Sequence, residues 1–351
     1  MVRYVSTKGS FIVSIAAAET AEDISKIAFG FMASKSLFAA LHVDLFSHLS
    51  KSPKNEPELA AATDVPVNRI VTLTTALRSL GLLVRKDGRL TNAPASEFFL
   101  VKGAKYDFGD YLRYQIDGQM YPVLDQLNDA MDGKLNTESV ASYASWMSDP
   151  IQARIYSKAQ HAGSLGPGRT IGKLVALSDA KTLLDVGGGT GAMTISLCQL
   201  NPELNATIVD FPNVAEIGWE FITEAGLVDR VRYIPANALE CEWPSERCAV
   251  LMSYLFSGVP EASIRSLTAD AFATLRPGGT LMVHDFMVDA ETAAPQMAAL
   301  WQLQHMAFTP EARSVTPGWL KSQMQEVGFI DILEEEMIPG MTHLIYARKP
   351  S

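Results

Sequence analysis

Residues 24–50 (ISKIAFGFMASKSLFAALHVDLFSHLS) place apolar side chains three or four positions apart. That spacing gathers them on one helical face and predicts one or two buried helices. Pro53 and Asn55 break the pattern. EPELAAATDV, a turn at Pro66 and NRIVTLTTALRSLGLL predict two further helices, the second ending at Gly81. LLVRKDGRLTNA then predicts two short strands joined at Asp87-Gly88, a hairpin signal. Two helices followed by a hairpin form a winged-helix arrangement.

Residues 106–175 predict mainly helix, with Gly166-Pro167-Gly168 as a bend or cap. From residue 181 the pattern changes. TLLDVGGGTG, ATIVDFP, RVRYIPAN, AVLMSYLF and GTLMVHDFMV carry apolar runs of strand length, separated by helical segments such as AMTISLCQLN and SIRSLTADAFATL. Strands apolar on both faces, alternating with helices, predict an α/β fold around a parallel sheet covered on both sides. LIYARKP predicts a final antiparallel strand. Three units follow: a helical and winged N-terminal domain (1–105), a helical linker (106–175) and a C-terminal α/β domain (176–351).

Charge decides how the winged segment reads. Its second helix offers only Arg69 and Arg78, while Ile70, Val71, Leu73, Ala76, Leu77 and Leu80 make an apolar face, and the chain's formal net charge is −10. A helix that reads nucleic acid presents several cations or amides, so packing or homodimerisation is the expectation and nucleic acid is not. With 48% apolar residues the chain can bury a substantial core. No uninterrupted apolar run approaches the ~20 residues of a membrane span, so no membrane partner is expected. Cys198, Cys241 and Cys248 form no ligand cluster, which predicts no metal and a reducing, cytoplasmic setting. Arg3 and Lys8 ahead of Phe11–Ala18 imitate a secretory leader. The apolar core is short and contains Ser14, so a segment packed on the body or on a second subunit is expected instead.

The strongest chemical signal is LLDVGGGTG at 183–191, a strand running into a glycine-rich turn and a helix. Glycines there let the backbone turn tightly and approach a ligand at the strand ends. Asp210 ends the next apolar run about twenty residues on, placed to accept hydrogen bonds from ribose hydroxyls. Asp185 ahead of the first glycine would repel a diphosphate but could pair with an amino group. A cationic ligand with a ribose and an amino acid but no phosphate suits this pattern, and S-adenosylmethionine is such a ligand.

DVGGGTG, DFP at 210–212 and the RPGG turn at 276–279 resemble the class I methyltransferases. With the winged front end, residues 24–349 resemble more narrowly the small-molecule O-methyltransferase family of plants and bacteria. The resemblance implies a Rossmann-like sheet with an N-terminal dimerisation domain. It implies that Gly187, Gly189 and Gly191 face the cofactor's methionine part and that Asp210, with Phe211 beside it, holds the ribose. Asn237 and Ala238 match the pair beside the adenine, with Asn237 standing where the family usually has Asp.

A second departure concerns chemistry. The family's phenol methylators carry a His-Asp pair after the fourth strand of the sheet, the His being the general base. Phe256 and Ser257 fall on those positions, and phenylalanine takes no proton. Either another histidine (His161, His284 or His305) acts as base, or the acceptor needs none. A thioether sulfur already carries a free lone pair, and its sulfonium product is stabilised by aromatic faces. Phe256, Trp301, Tyr114, Tyr143 and Trp146 are candidates for that wall. Gln160 and His161 lie on the family's inter-domain helix and His305 on its substrate-facing helix. Arg113, Arg154 and Arg313 are possible carboxylate clamps. His42 and His48 read as structural, and His343 as solvated.

The narrower resemblance is to the bacterial methylthiohydroxybutyrate S-methyltransferases of dimethylsulfoniopropionate synthesis. The expectation is therefore S-methylation of a thioether acid. O-methylation with a relocated histidine, C-methylation as in the bacteriochlorophyll ring methylators, and a relative that binds cofactor without transferring methyl are the alternatives.

Overall fold

The computed structural model describes residues 17–133, 143–309 and 311–351. The leader-like stretch up to residue 16 and the side chain of Tyr143 lie outside the described residues. The 24–50 pattern becomes three helices, Ala21–Ala28, Gly30–His42 and Leu45–Lys51. A capping box between Thr20 and Asp23 starts the first, and another between Asn55 and Glu58 starts the helix Glu56–Thr63. The helix Val67–Ser79 follows, then β1 (Leu83–Lys86) and β2 (Arg89–Asn92). Asp87 and Gly88 have φ of 50° and 76°, the left-handed pair that a two-residue hairpin needs. Leu41, Leu45, Phe46, Leu59, Ile70, Leu77, Leu83 and Leu90 form this domain's own core. Val71 and Leu80, expected on the apolar face, are exposed instead.

Ala21–His42 is long and apolar enough by composition to cross a membrane, with a mean hydropathy of 1.3. It divides at Phe29 into two helices, and Ile24, Ile27, Phe29, Phe31 and Met32 are all more than half exposed. A contiguous apolar strip of this kind calls for a covering partner.

The second domain is a seven-stranded sheet in the order β5-β4-β3-β6-β7-β9-β8. It comprises β3 (Thr182–Val186), β4 (Asn205–Asp210), β5 (Val231–Pro235), β6 (Arg247–Ser253), β7 (Leu275–Phe286), β8 (Ile330–Ile338) and β9 (Thr342–Arg348). β3 to β7 run parallel, and β9 is antiparallel to both neighbours. Adjacent residues serve opposite faces, as the strand period requires. Leu183, Ile208, Leu251 and Met282 enter one core, and Leu184, Val209, Val250 and Leu281 the other. The sequence pattern does not announce β8, because this edge strand is mostly exposed and carries Glu334, Glu335 and Glu336, charges that guard an edge against further pairing. His343, expected in solvent, lies 3.2 Å from Glu334.

The linker differs from expectation in two ways. Tyr111–Met120 is wound as a π-helix, a form that recurs at functional sites. The long helix Pro150–Leu174 continues through Gly166-Pro167-Gly168 without a break. Gly168 supplies the reason: a Cβ there would lie 2.8 Å from the Met193 Cα, so the glycine lets the helix Ala192–Leu200 pack backbone to backbone.

Candidate active site

The strand order reverses between β3 and β6, which opens a crevice at their carboxyl ends. Gly187, Gly189 and Gly191 all have positive φ there, so the chain can leave β3 and turn at once into the helix Ala192–Leu200. At Gly191 a Cβ would also meet the Ile208 side chain at 2.7 Å. Gly189 has open space where its Cβ would be, and Leu255 lies beside Gly187. Two supports went unread in the sequence. Tyr233 donates from its hydroxyl to the Gly189 carbonyl at 3.0 Å, and Gly218 makes room for that tyrosine. Neither carries a local signal, because the contact joins a strand, a loop and a helix distant in sequence.

Two carboxylates floor the loop. Asp185 is buried and accepts from the Thr194 hydroxyl at 2.6 Å. Burial pushes its pKa up to about 7, against the Thr194 bond and with the help of Asp210. Asp210 accepts from the Gly189 and Phe211 amides, both at 2.7 Å, and burial raises it to about 6. Buried carboxyls held this high call for a cation and for hydroxyl donors. S-adenosylmethionine fits: Asp185, Asp210 and the glycine loop would hold its amino and ribose groups.

The sign of the resulting pH dependence follows. In the free protein both carboxyls bind protons that the unfolded chain has lost, so stability falls as pH rises from about 4 towards about 7. A cationic ligand favours the ionised forms, so its binding releases protons and tightens over the same range. Titration calorimetry with the cofactor at about pH 6, in buffers of different ionisation enthalpy, should show net proton release. No release would remove these carboxyls from the binding site.

Across the crevice the aromatic residues form a wall. Tyr254 directly follows β6 with φ 55°, a left-handed conformation that costs a bulky residue and marks functional sites. Its ring stands edge-on to His284 at 4.6 Å and tilted to Phe286 at 5.5 Å. Phe286 in turn stacks on Trp301 at 4.3 Å. Burial, then the nearby Tyr111 phenol and Asp285 carboxyl, keep the Tyr254 hydroxyl protonated. Trp146 instead meets Tyr156 edge-on at 5.1 Å.

The histidines divide. His284 bonds Ser253 and Thr342, each at 2.9 Å, and burial pushes it down to about 3. His161 bonds Thr190 of the glycine loop at 2.8 Å, stacks on Phe221 at 3.7 Å and is pushed down to about 4. His305 sits against Gly258, where a Cβ would lie 3.3 Å from its Cε1. Both its ring nitrogens are buried without a partner among the described residues, and burial lowers it to about 4.

Several expected site residues are engaged elsewhere. Phe256 is sealed in the core with Leu184, Val250 and Met252, because a short 3₁₀ turn, Phe256–Gly258, turns it inward. Arg113 bonds Asp44 at 2.8 Å, Asp110 at 3.0 Å and the Leu41 carbonyl, so it is no free clamp. Tyr114 is exposed under the Arg113 guanidinium. Arg154 pairs with Glu220 and Arg313 with Glu261. Gln160 donates to the Tyr156 hydroxyl at 3.2 Å. Asn237 closes a turn, its oxygen accepting from the Leu239 amide at 3.1 Å and its amide donating to Glu240 at 2.8 Å. That oxygen keeps one further lone pair for a donor such as an adenine amino group. Ala238 is partly buried beside it, and its carbonyl accepts from Trp243. No metal-binding cluster occurs among the described residues.

A doubly wound sheet with an antiparallel edge, a glycine loop and two carboxylates at its switch point defines an S-adenosylmethionine-dependent methyltransferase. Models of the O-methyltransferase domain and of the O-methyltransferase dimerisation domain match residues 126–330 and 25–102. The chain belongs to the O-methyltransferase family, and its dimerisation domain supports a homodimer. It is 29% identical over 300 residues to 3-hydroxy-5-methyl-1-naphthoate 3-O-methyltransferase of Streptomyces sahachiroi, covering 82% of this chain and 83% of that one. It is 27% identical over 324 residues to the N,N-dimethyltransferase OxyT of Streptomyces rimosus, covering 90% and 93%. The solved human N-acetylserotonin methyltransferase in complex with SAM shares the fold, with a TM-score of 0.82 at 20% identity, covering 96% and 100%.

Proposed function

We propose that this enzyme methylates a small acceptor whose nucleophilic atom already carries its lone pair, favoured as the sulfur of a thioether acid such as 4-methylthio-2-hydroxybutyrate. The observation that carries this reading is the strand end itself. Phe256 is buried in the core where a base would stand, and His161 and His284 are hydrogen-bonded and made weak bases by burial, which pushes them down to about 4 and about 3. Bound in the crevice, S-adenosylmethionine supplies an electrophilic methyl. Tyr254, Phe286 and Trp301 align the acceptor, exclude water and face the cation that forms on its sulfur. The S–CH3 bond to the acceptor forms as the bond to the cofactor's sulfur breaks, and no proton leaves. Because Arg113, Arg154 and Arg313 each have a carboxylate partner, neutral donors would meet the acceptor's acid group, His305 among them.

One observation favours a second reading. The unpartnered nitrogens of His305 could accept a proton from an aromatic hydroxyl, and the S. sahachiroi relative is named for O-methylation. Labelled cofactor with panels of thioethers and phenols, each followed across pH, separates the two. With cofactor saturating at every pH, thioether turnover with a rate flat to within about twofold between pH 6 and 9 is expected. Phenol turnover with a pH limb that disappears in His305→Ala would replace the thioether reading. Free Cys198, Cys241 and Cys248 support a reducing, cytoplasmic setting for either reading.

A further inference from the structure

The π-helix Tyr111–Met120 faces two ways. Side chains four residues apart return to one face of a helix, and those two apart lie opposite. Tyr111, Gln115 and Gln119 accordingly share one face, and Arg113 and Asp117 share the other.

The first face turns inward. Tyr111 neighbours Tyr254 of the aromatic wall, and Gln119 donates to the Gln152 side chain of the long helix at 2.9 Å. Gln115 is 1% exposed and its Oε1 has no partner among the described residues. An orphaned amide oxygen this deeply buried carries a desolvation cost until a donor reaches it.

The second face is fastened to the dimerisation domain. Asp117 takes Lys35 on one oxygen and His42 on the other, at 2.5 and 2.9 Å. Both partners come from the helix Gly30–His42, which begins in the exposed apolar strip. Arg113, one helical turn away, reaches the Leu41 carbonyl in the last turn of that helix and Asp44 just beyond it. Two polar fastenings on one face fix both the height and the rotation of the opposite face.

We propose that Gln115 binds the acceptor, its Oε1 taking a hydrogen bond from an acceptor hydroxyl or N–H, and that Asp117, clamped by Lys35 and His42, is the positioning residue that sets Gln115 in place. Specificity for a hydroxylated acceptor is then built partly by the dimerisation domain. The donor's identity rests on the thioether reading, under which it is the 2-hydroxyl of 4-methylthio-2-hydroxybutyrate; the clamp does not rest on it.

The full-length dimer supplies both tests. Wild-type kcat/KM should favour 4-methylthio-2-hydroxybutyrate over 4-methylthiobutyrate by roughly tenfold, and Gln115→Leu should erase that preference through KM while cofactor affinity holds. Asp117→Asn should raise the KM for the hydroxylated compound by a similar factor. It should also speed amide exchange across residues 111–120 by roughly tenfold, with residues 182–210 unchanged. Asp117→Glu, which keeps the charge, should recover part of both effects. A preference that survives Gln115→Leu, an orphan oxygen satisfied by water alone, overturns the binding role. Unchanged exchange in Asp117→Asn, or cofactor affinity falling in step with KM, overturns the positioning role. Wild type turning over neither thioether defeats the thioether reading and the 2-hydroxyl assignment with it, while the exchange arm still decides the clamp.

Discussion

Asp210→Asn is expected to weaken cofactor binding by about 10²–10³-fold while leaving a folded protein. The carboxylate accepts two short backbone bonds, from the Gly189 and Phe211 amides, one to each oxygen. An asparagine keeps one acceptor and turns an amide group towards one of those donors, so either the loop or the side chain must shift. The ribose hydroxyls also lose a charged acceptor, and bonds to charged groups are worth about 1.5–3 kcal/mol each. Stability should move the other way or not at all, since a carboxyl raised to about 6 by desolvation is itself costly to the free protein. Calorimetry with S-adenosylhomocysteine measures the first effect and thermal denaturation without ligand the second. Unchanged affinity would remove Asp210 from the cofactor site, and collapse of the fold would make its role structural.

Asp210 was readable from the sequence because every clue to it is local: a strand run, a glycine turn and a carboxylate at the next strand end. The Asp87-Gly88 hairpin was readable for the same reason, since two residues carry the whole turn. Arg113 misled because an arginine's partner cannot be read from its neighbours alone. Asp44 lies 69 residues earlier and uses most of what a substrate would need. Phe256 misled differently. The strand register continues its alternation past Ser253, but Tyr254 in the left-handed region and the turn after it reverse which side chains face the crevice, leaving Leu255 beside the glycine loop. Gly166-Pro167-Gly168 read as a break because composition shows flexibility and a missing donor; it does not show the neighbouring helix that needs a glycine at 168. The rules that failed are local ones overruled by packing, and two of the three failures adjoin the site.

Gly218→Ala should be the most damaging small substitution in the helix Pro212–Glu224, although alanine is intrinsically the better helix former by about 1 kcal/mol. The added Cβ would stand 2.0 Å from the Tyr233 Oη and 2.5 Å from its Cζ. The ring cannot yield freely. Its hydroxyl holds the Gly189 carbonyl at 3.0 Å, and the Trp219 ring lies tilted against it with centroids 5.7 Å apart. Overpacking of this kind costs about 1–3 kcal/mol, and the displaced tyrosine releases the glycine loop as well. Thermal stability and cofactor affinity should therefore fall together, which separates Gly218→Ala from Asp210→Asn. Tyr233→Phe tests the cause: alone it should lose about 1 kcal/mol with the hydroxyl's bond, and combined with Gly218→Ala it should cost less than the sum, because the nearest clashing atom is gone. Strict additivity would mean that the glycine is there for the helix and not for the tyrosine behind the cofactor loop.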